Sequence, residues 1–427
     1  MKILIKNGRV IDPAAGRDEV ADLAVVHGVF ARVEDLQGSP DEVIDAKGLV
    51  VAPGLVDLAV RLREPGHEHE GMLHSELQAA AAGGVTSLVC LPDTEPVLDE
   101  PGLVDMLRFR AGMHRTRVFP LGALTRGLAG EVLTEMVQLA QAGCVGFTQA
   151  ESALANNQVL LRALQYAATS GYTVWLRAQD LSLGGGVAAS GAVATRLGLS
   201  GVPVAAETIA LHTIFELMRA SGARVHICRL SSAAGCALVR VAKEERLPVT
   251  CDVSIHSLHL TDTDIGYFDS RMRMNPPLRQ QRDRDALWAG LADGTIDALV
   301  SDHTPVAEDG KALPFAQAEP GATGLELLLS LALKWGEESG VGLAAALGTV
   351  TGRPAQVLGA SLGEHGRGAG RIVEGASADL CIFDPAAHWT VRPQALRSQG
   401  RSTPFAEHEL PGTVRFTLVG GQIAFQA

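Results

Sequence analysis

Residues 49–62 read LVVAPGLVDLAVRL, an apolar run interrupted only by a Pro-Gly pair, Asp57 and Arg61. Its continuous hydrophobicity suits a strand buried on both faces rather than a half-exposed one, whose pattern would alternate. Seven more such runs follow: GVTSLVCLP from Gly84, TRVFPLGAL from Thr116, GCVGFTQA from Gly143, YTVWLRAQ from Tyr172, RVHICRLS from Arg224, PVTCDVSI from Pro248 and IDALVSDHT from Ile296. Between most of them lie stretches with helical spacing, such as EVLTEMVQLAQAG from Glu131 and SAAGCALVRVAKEE from Ser232. Buried strands alternating with helices mean a parallel sheet, and eight such units favour a closed (β/α)8 barrel over an open doubly wound sheet. The barrel is expected over 51–370.

The two ends read differently. Residues 1–50 and 371–427 carry short alternating strands, among them ILIKNGRVID, DLAVVHGVFARV, ASADLCIFD and TVRFTLVGGQIAFQA, separated by Gly, Pro and Asn-Gly turns. Both ends are expected to meet in one small β-sandwich domain beside the barrel. At 427 residues and 47% hydrophobic the chain can bury a large core, and its net charge of -12 argues against nucleic acid as a partner. The six cysteines (Cys90, Cys144, Cys228, Cys236, Cys251, Cys381) lie in apolar runs without metal-knuckle spacing, and read as buried thiols of a reducing cytosol. The amino terminus lacks the apolar core of a signal peptide, and no apolar run is long enough for a membrane span, so a cytoplasmic protein with no membrane partner is expected.

In a barrel of this kind the chemistry sits where the strands end. Those positions hold Ala59, Arg61 and Arg63, then Asp93, Gln149, Arg177 and Gln179, Arg229, His256, and finally Asp302 with His303. The rim is crowded with arginine.

Longer motifs span nearly the whole chain. PGLVDLAVRLREPGHEHE (53–70), AAAGGVTSLVCLPDTEPVLD (80–99), RMNPPLR (273–279), SDHTP (301–305) and GATGLELLLSLAL (321–333) together resemble the dihydroorotases of the amidohydrolase superfamily, of the bacterial and multifunctional-complex type. The pairing of LREPG with MNPPLR separates these from hydantoinases and most allantoinases. The resemblance implies reversible hydrolysis of the cyclic amide of dihydroorotate by a hydroxide made on one or two zinc ions. Laid residue by residue on this chain, the first-strand His-x-His falls on Ala59 and Arg61, the fourth-strand carboxylate on Gln149, and the histidines of the fifth and sixth strands on Arg177 and Arg229. Only Asp302 is retained. Arginine stays protonated and offers no lone pair, so the family zinc is expected to be lost, leaving no metal and no cofactor. The three arginines are expected to converge on Asp302 and replace the metal electrostatically, so that Asp302→Ala costs more than about 1 kcal/mol.

The residues that grip the substrate carboxylate in the family correspond to Arg63 and Asn275, as a vestige; a loop-anchoring role is the plainer reading of both. The asparagine expected after the second strand is Asp93, and the histidine after SDHTP is Val306. His67, His69 and His74 read as loop packing, His256 and His259 as structural, and His303 as facing away when Asp302 faces in. Gly83-Gly84 and Gly184 to Gly186 read as turns. The pattern of a kept scaffold with erased ligands resembles the non-catalytic dihydroorotase-like subunits that partner the catalytic subunit of aspartate transcarbamoylase in pyrimidine biosynthesis. A homo-oligomer is also expected. Two alternatives stay open: an active dihydroorotase or related cyclic-amide hydrolase with an atypical metal site at Asp302 and the loop histidines, and a sensor of an anionic pyrimidine bound through Arg63 and the arginine cluster.

Overall fold

The computed structural model describes residues 2–36 and 38–427. All eight buried runs contain a strand, and these pair in parallel. Leu55–Val60, Val85–Cys90 and Arg117–Pro120 form one set. Gly122–Ala123, Phe147–Thr148, Thr173–Arg177, Arg224–Cys228, Val249–Ser254 and Ala298–Val300 form the other, in that order. The sets are tied at both edges. Val60 makes a parallel bridge with His303, just past the last strand, and Leu121 N donates to Cys90 O at 2.9 Å. Alternate residues feed two clusters. Val56, Leu58, Val89 and Trp175 pack together on one face, while Leu55, Leu88 and Leu176 pack against helix residues such as Leu77, Leu107 and Leu164 on the other. Most strand positions are therefore apolar in sequence, because both faces are covered.

The helices start and stop on local signals. Asn157–Ser170 begins at Asn156, whose side chain accepts from Gln158 N, and ends at Gly171 in the left-handed conformation. Ala233–Glu244 is capped by Ser232, whose hydroxyl accepts from Gly235 N. Among the described residues no helix is long and apolar enough to cross a membrane.

The run from Leu49, read above as one strand, is two. Val50–Pro53 and Leu55–Val60 are separated at Gly54, where a Cβ would lie 2.2 Å from Thr86 Oγ1. The Pro-Gly pair is thus a real break, forced by the close approach of the second strand. Val50–Pro53 belongs to the other sheet. It pairs antiparallel with Leu380–Phe383 and parallel with Arg9 and Val10.

That other sheet is mixed and eight-stranded, and it is drawn from both ends of the chain, which fits the small terminal β-domain expected. Lys2–Asp12 pairs with Arg17–Val26, and Leu380–Thr390 with Glu409–Val419. Ile3, Ile5, Val25, Ile44, Ile382 and Leu418 make its core.

Candidate functional site

At the carboxyl ends of the parallel strands lies a cavity of about 360 Å³, lined among others by Arg61, Arg229, Glu151, Asp93, Asn275 and Asp302. Three arginines meet there on one carboxylate, Glu151. Arg61 Nη2 reaches Glu151 Oε1 at 2.8 Å. Arg229 pairs with the same oxygen, Arg177 with Oε2, and Asn275 Nδ2 donates to Oε2 at 2.9 Å. Arg61 also holds Asp93 at 2.7 Å and donates to Thr304 Oγ1 at 3.0 Å, while Arg229 holds Asp302 at 3.1 Å. The arginines are nearly buried, their side chains 3% to 7% exposed. Guanidinium charge at that depth needs carboxylate partners, and the site supplies three in Glu151, Asp93 and Asp302.

The backbone aims these groups. Ala150, Arg229 and Asp302 all have φ near +50°, at 50°, 55° and 49°. A non-glycine residue pays for that region in strain and holds it only where the surroundings fix it. Arg229 is fixed by its own N–H, which donates to Asp252 Oδ1 at 2.7 Å. Turning left-handed as the strand ends swings the side chain across the cavity instead of continuing the strand's alternation.

The charges set the protonation of the carboxylates. Burial alone would raise the Glu151 carboxyl, but the guanidiniums of Arg229, Arg177 and Arg61 outweigh it and hold it well below the usual carboxylate range. For Asp302 burial wins, pushing it up to about 6 against the pull of Arg229 and Arg61.

The structure brings together Arg61, Arg177, Arg229, Asp302 and Asn275. It does not bring in two other positions. Ala59 offers no side-chain donor, and Gln149 is turned aside, accepting from Thr125 Oγ1 at 2.9 Å and donating to Leu128 O at 2.6 Å. Arg63 sits at the rim, with Nε 2.9 Å from Pro305 O and 2.8 Å from Glu70 Oε2. The expectation that the three arginines converge on Asp302 is corrected. Only Arg229 contacts it, and the common partner is Glu151, in the loop two residues beyond Gln149. Asp93, read as repelling an anion, is engaged by Arg61.

His67 and His69 line the same cavity, closer to the site than simple loop packing. His303 faces away, as expected. Its Nδ1 accepts from Gly324 N at 3.1 Å, which leaves Nε2 to donate to Glu76 Oε2 at 2.8 Å. His256 is buried and stacks on Phe405, and the partly buried His259 stands edge-on to the same ring. Burial holds both imidazoles down to about 3. A histidine whose folded value lies below its unfolded one, about 6.5, contributes full stability above 6.5 and loses it as the pH falls toward the folded value. Urea unfolding is therefore expected to weaken by about 1–2 kcal/mol per histidine between pH 7 and pH 5. His256→Phe should flatten that slope; an unchanged slope in the variant counts against the assignment.

A zinc centre does not fit the donors present. The guanidiniums have no lone pair, Ala59 has no donor, and the retained Asp302 is already paired with Arg229. Among the described residues, the group of three potential ligands whose atoms lie within 4.8 Å of one another is His226, Cys228 and Asp252. Its polar atoms are spoken for: His226 Nε2 is 2.9 Å from Asp252 Oδ2, and Nδ1 is 2.8 Å from Thr250 Oγ1.

Comparison with known proteins gives a consistent answer. The dihydro-orotase-like family model matches residues 48–234. A dihydroorotase-like protein of Pseudomonas aeruginosa is 44% identical over 430 residues, covering 100% of both chains, and one of Pseudomonas putida is 43% identical over 99% of both. A dihydroorotase of Geobacter sp. (strain M21) is 39% identical over 100% of both. Among solved structures, the L-hydantoinase (dihydropyrimidinase) of Arthrobacter aurescens superposes with a TM-score of 0.87 at 24% identity, covering 99% of this chain and 95% of that one. That likeness is one of α/β fold.

Proposed function

This chain belongs to the dihydroorotase-like family, and we propose that it is a catalytically silent member that serves pyrimidine biosynthesis as a structural or regulatory partner of the aspartate transcarbamoylase catalytic subunit. On this reading the parallel strands of the eight runs are the (β/α)8 barrel of the amidohydrolases, and the protein works in the cytoplasm as a homo-oligomer within a larger complex.

The observation that carries the proposal is the closure of three arginines on Glu151 where the family's zinc chemistry would stand. Hydrolysis of an unactivated cyclic amide needs a strong nucleophile and a polarised carbonyl, and zinc supplies both at neutral pH. Guanidiniums can stabilise an oxyanion but cannot ionise a water, and Glu151, held well below the usual carboxylate range by the three arginines, is too weak a base to do so. What remains is a cavity whose charges satisfy one another. It preserves the shape of the strand ends without metal.

A second reading keeps a foothold in one observation, that His67, His69 and Asp302 line a single cavity. It makes the protein a dihydroorotase or related cyclic-amide hydrolase with an atypical metal site. One experiment separates the two: dihydroorotate turnover with added zinc, and metal content on the same preparation. The silent reading expects neither turnover nor stoichiometric metal, and retention of the protein on immobilised transcarbamoylase. Turnover abolished by a chelator would overturn it.

A further inference from the structure

A second cavity, of about 310 Å³, opens at the other end of the parallel strands, where the third strand begins. Its wall holds three arginines, Arg108, Arg115 and Arg117, the imidazoles of His114 and His365, and no acidic residue. In a chain of net charge -12 that is a local reversal of sign, and a concave one, which focuses the field onto a bound anion. The nearest carboxylates are partly spent. Asp379 is paired with Arg117, which also donates to Ser377 Oγ at 2.8 Å, so Arg117 is largely neutralised. Glu364 neighbours His365 in sequence.

Among the described residues Arg108 and Arg115 have no acidic partner. Arg108 is held in place rather than free. Its Nη1 donates to Ala142 O at 2.7 Å, and it packs over Gly143, where a Cβ would fall 2.6 Å from Nη1. Gly143 has φ +112° and caps the preceding helix, so the same glycine ends a helix and makes room for the guanidinium. Burial and the charges of Arg117 and Arg108 hold the His365 imidazole below its ordinary value, with Asp379 and Glu364 pulling the other way. The lining also has an apolar part, Val118, Phe119, Val145 and Leu362, with the Phe119 ring edge-on to His365 at 5.9 Å.

We propose that this cavity binds a small phosphate monoester, its phosphate between Arg108, Arg115 and His365 and its apolar group against Phe119. A phosphate dianion presents three oxygens, enough for both arginines and an imidazole N–H at once, whereas a carboxylate presents only two. The volume suits one ring and its phosphate, at the lower limit of ordinary ligand sites, and an acidic protein segment would need a longer groove. The site is independent of the arginine–Glu151 centre and of the function proposed above.

Titration calorimetry of the full chain with phenyl phosphate and with inorganic phosphate tests it. Phenyl phosphate should bind saturably and more tightly than inorganic phosphate, with an affinity that falls as salt is added. The exposed substitutions Arg115→Ala and His365→Ala should each weaken it by about tenfold. Three results would overturn the proposal: no saturable binding, binding undiminished in both variants, or binding of a polyglutamate peptide without binding of phenyl phosphate.

Discussion

Replacing Glu151 by glutamine is expected to destabilise the protein by about 2–4 kcal/mol at neutral pH, more than the same change at Asp302. Breaking a buried ion pair by removing one partner costs about 3–5 kcal/mol, because the partner's charge is left behind without compensation. Here one carboxylate serves three guanidiniums, and the figure is lowered because the Glu151 side chain is 31% exposed. The sign follows from its protonation. A carboxyl held below its unfolded value, about 4.3, contributes stability at every pH above that value and loses it as the pH falls through the folded one. Urea denaturation at pH 7 reads the effect. Asp302→Asn should cost less than about 1 kcal/mol, since burial already disfavours its charged form and one contact is lost. The double variant Glu151→Gln, Arg177→Gln should recover part of the loss by removing the surplus positive charge. If Glu151→Gln is as stable as the parent, or Asp302→Asn is the worse of the two, the hub has been misassigned.

The second large effect is expected at Glu76, whose side chain is fully buried. It receives His303 Nε2 at 2.8 Å, Ser398 Oγ at 2.6 Å and Gln399 N at 3.0 Å. One carboxylate thus fastens the first helix to the eighth strand and to the segment that leads into the terminal sheet. Burial by itself would raise this carboxyl, but the hydrogen bond and charge of His303, with Ser398 and Gln399, bring it below the ordinary value. Glu76→Ala should cost about 3–5 kcal/mol and leave His303 Nε2 and Gln399 N without their acceptor. Glu76→Gln, which keeps the shape, should recover part of it. Thermal and urea unfolding of the two variants give the answer, and a loss below about 1 kcal/mol in Glu76→Ala would show that the three bonds matter little.

Much of the architecture was legible because burial on both faces leaves an unmistakable apolar run. The strands ending at Cys90, Arg177 and Cys228 needed no more than that. The break at Gly54 was not read, although Pro53-Gly54 announced it, because apolarity continued on both sides while the strand changed partners. At the site, strand-end position picked out Arg61, Arg177, Arg229 and Asp302, which the ion pairs join in one network. It misplaced Gln149, since alternation along a strand does not foresee a side chain diverted to Thr125 and Leu128. Glu151 was missed for a related reason. It lies in a loop whose course depends on Ala150 turning left-handed, and no periodicity reaches there. The one signal available was chemical: three buried arginines around a lone retained aspartate call for another acid nearby.

The interleaving of Val50–Pro53 between Arg9–Val10 and Leu380–Phe383 bears on how the molecule is made. The strand leading into the first parallel strand cannot complete its pairing until residues more than three hundred positions later have been synthesised. Until those residues are made Val50–Pro53 keeps an unpaired edge, so the terminal sheet is completed only after the last of the parallel strands has been synthesised.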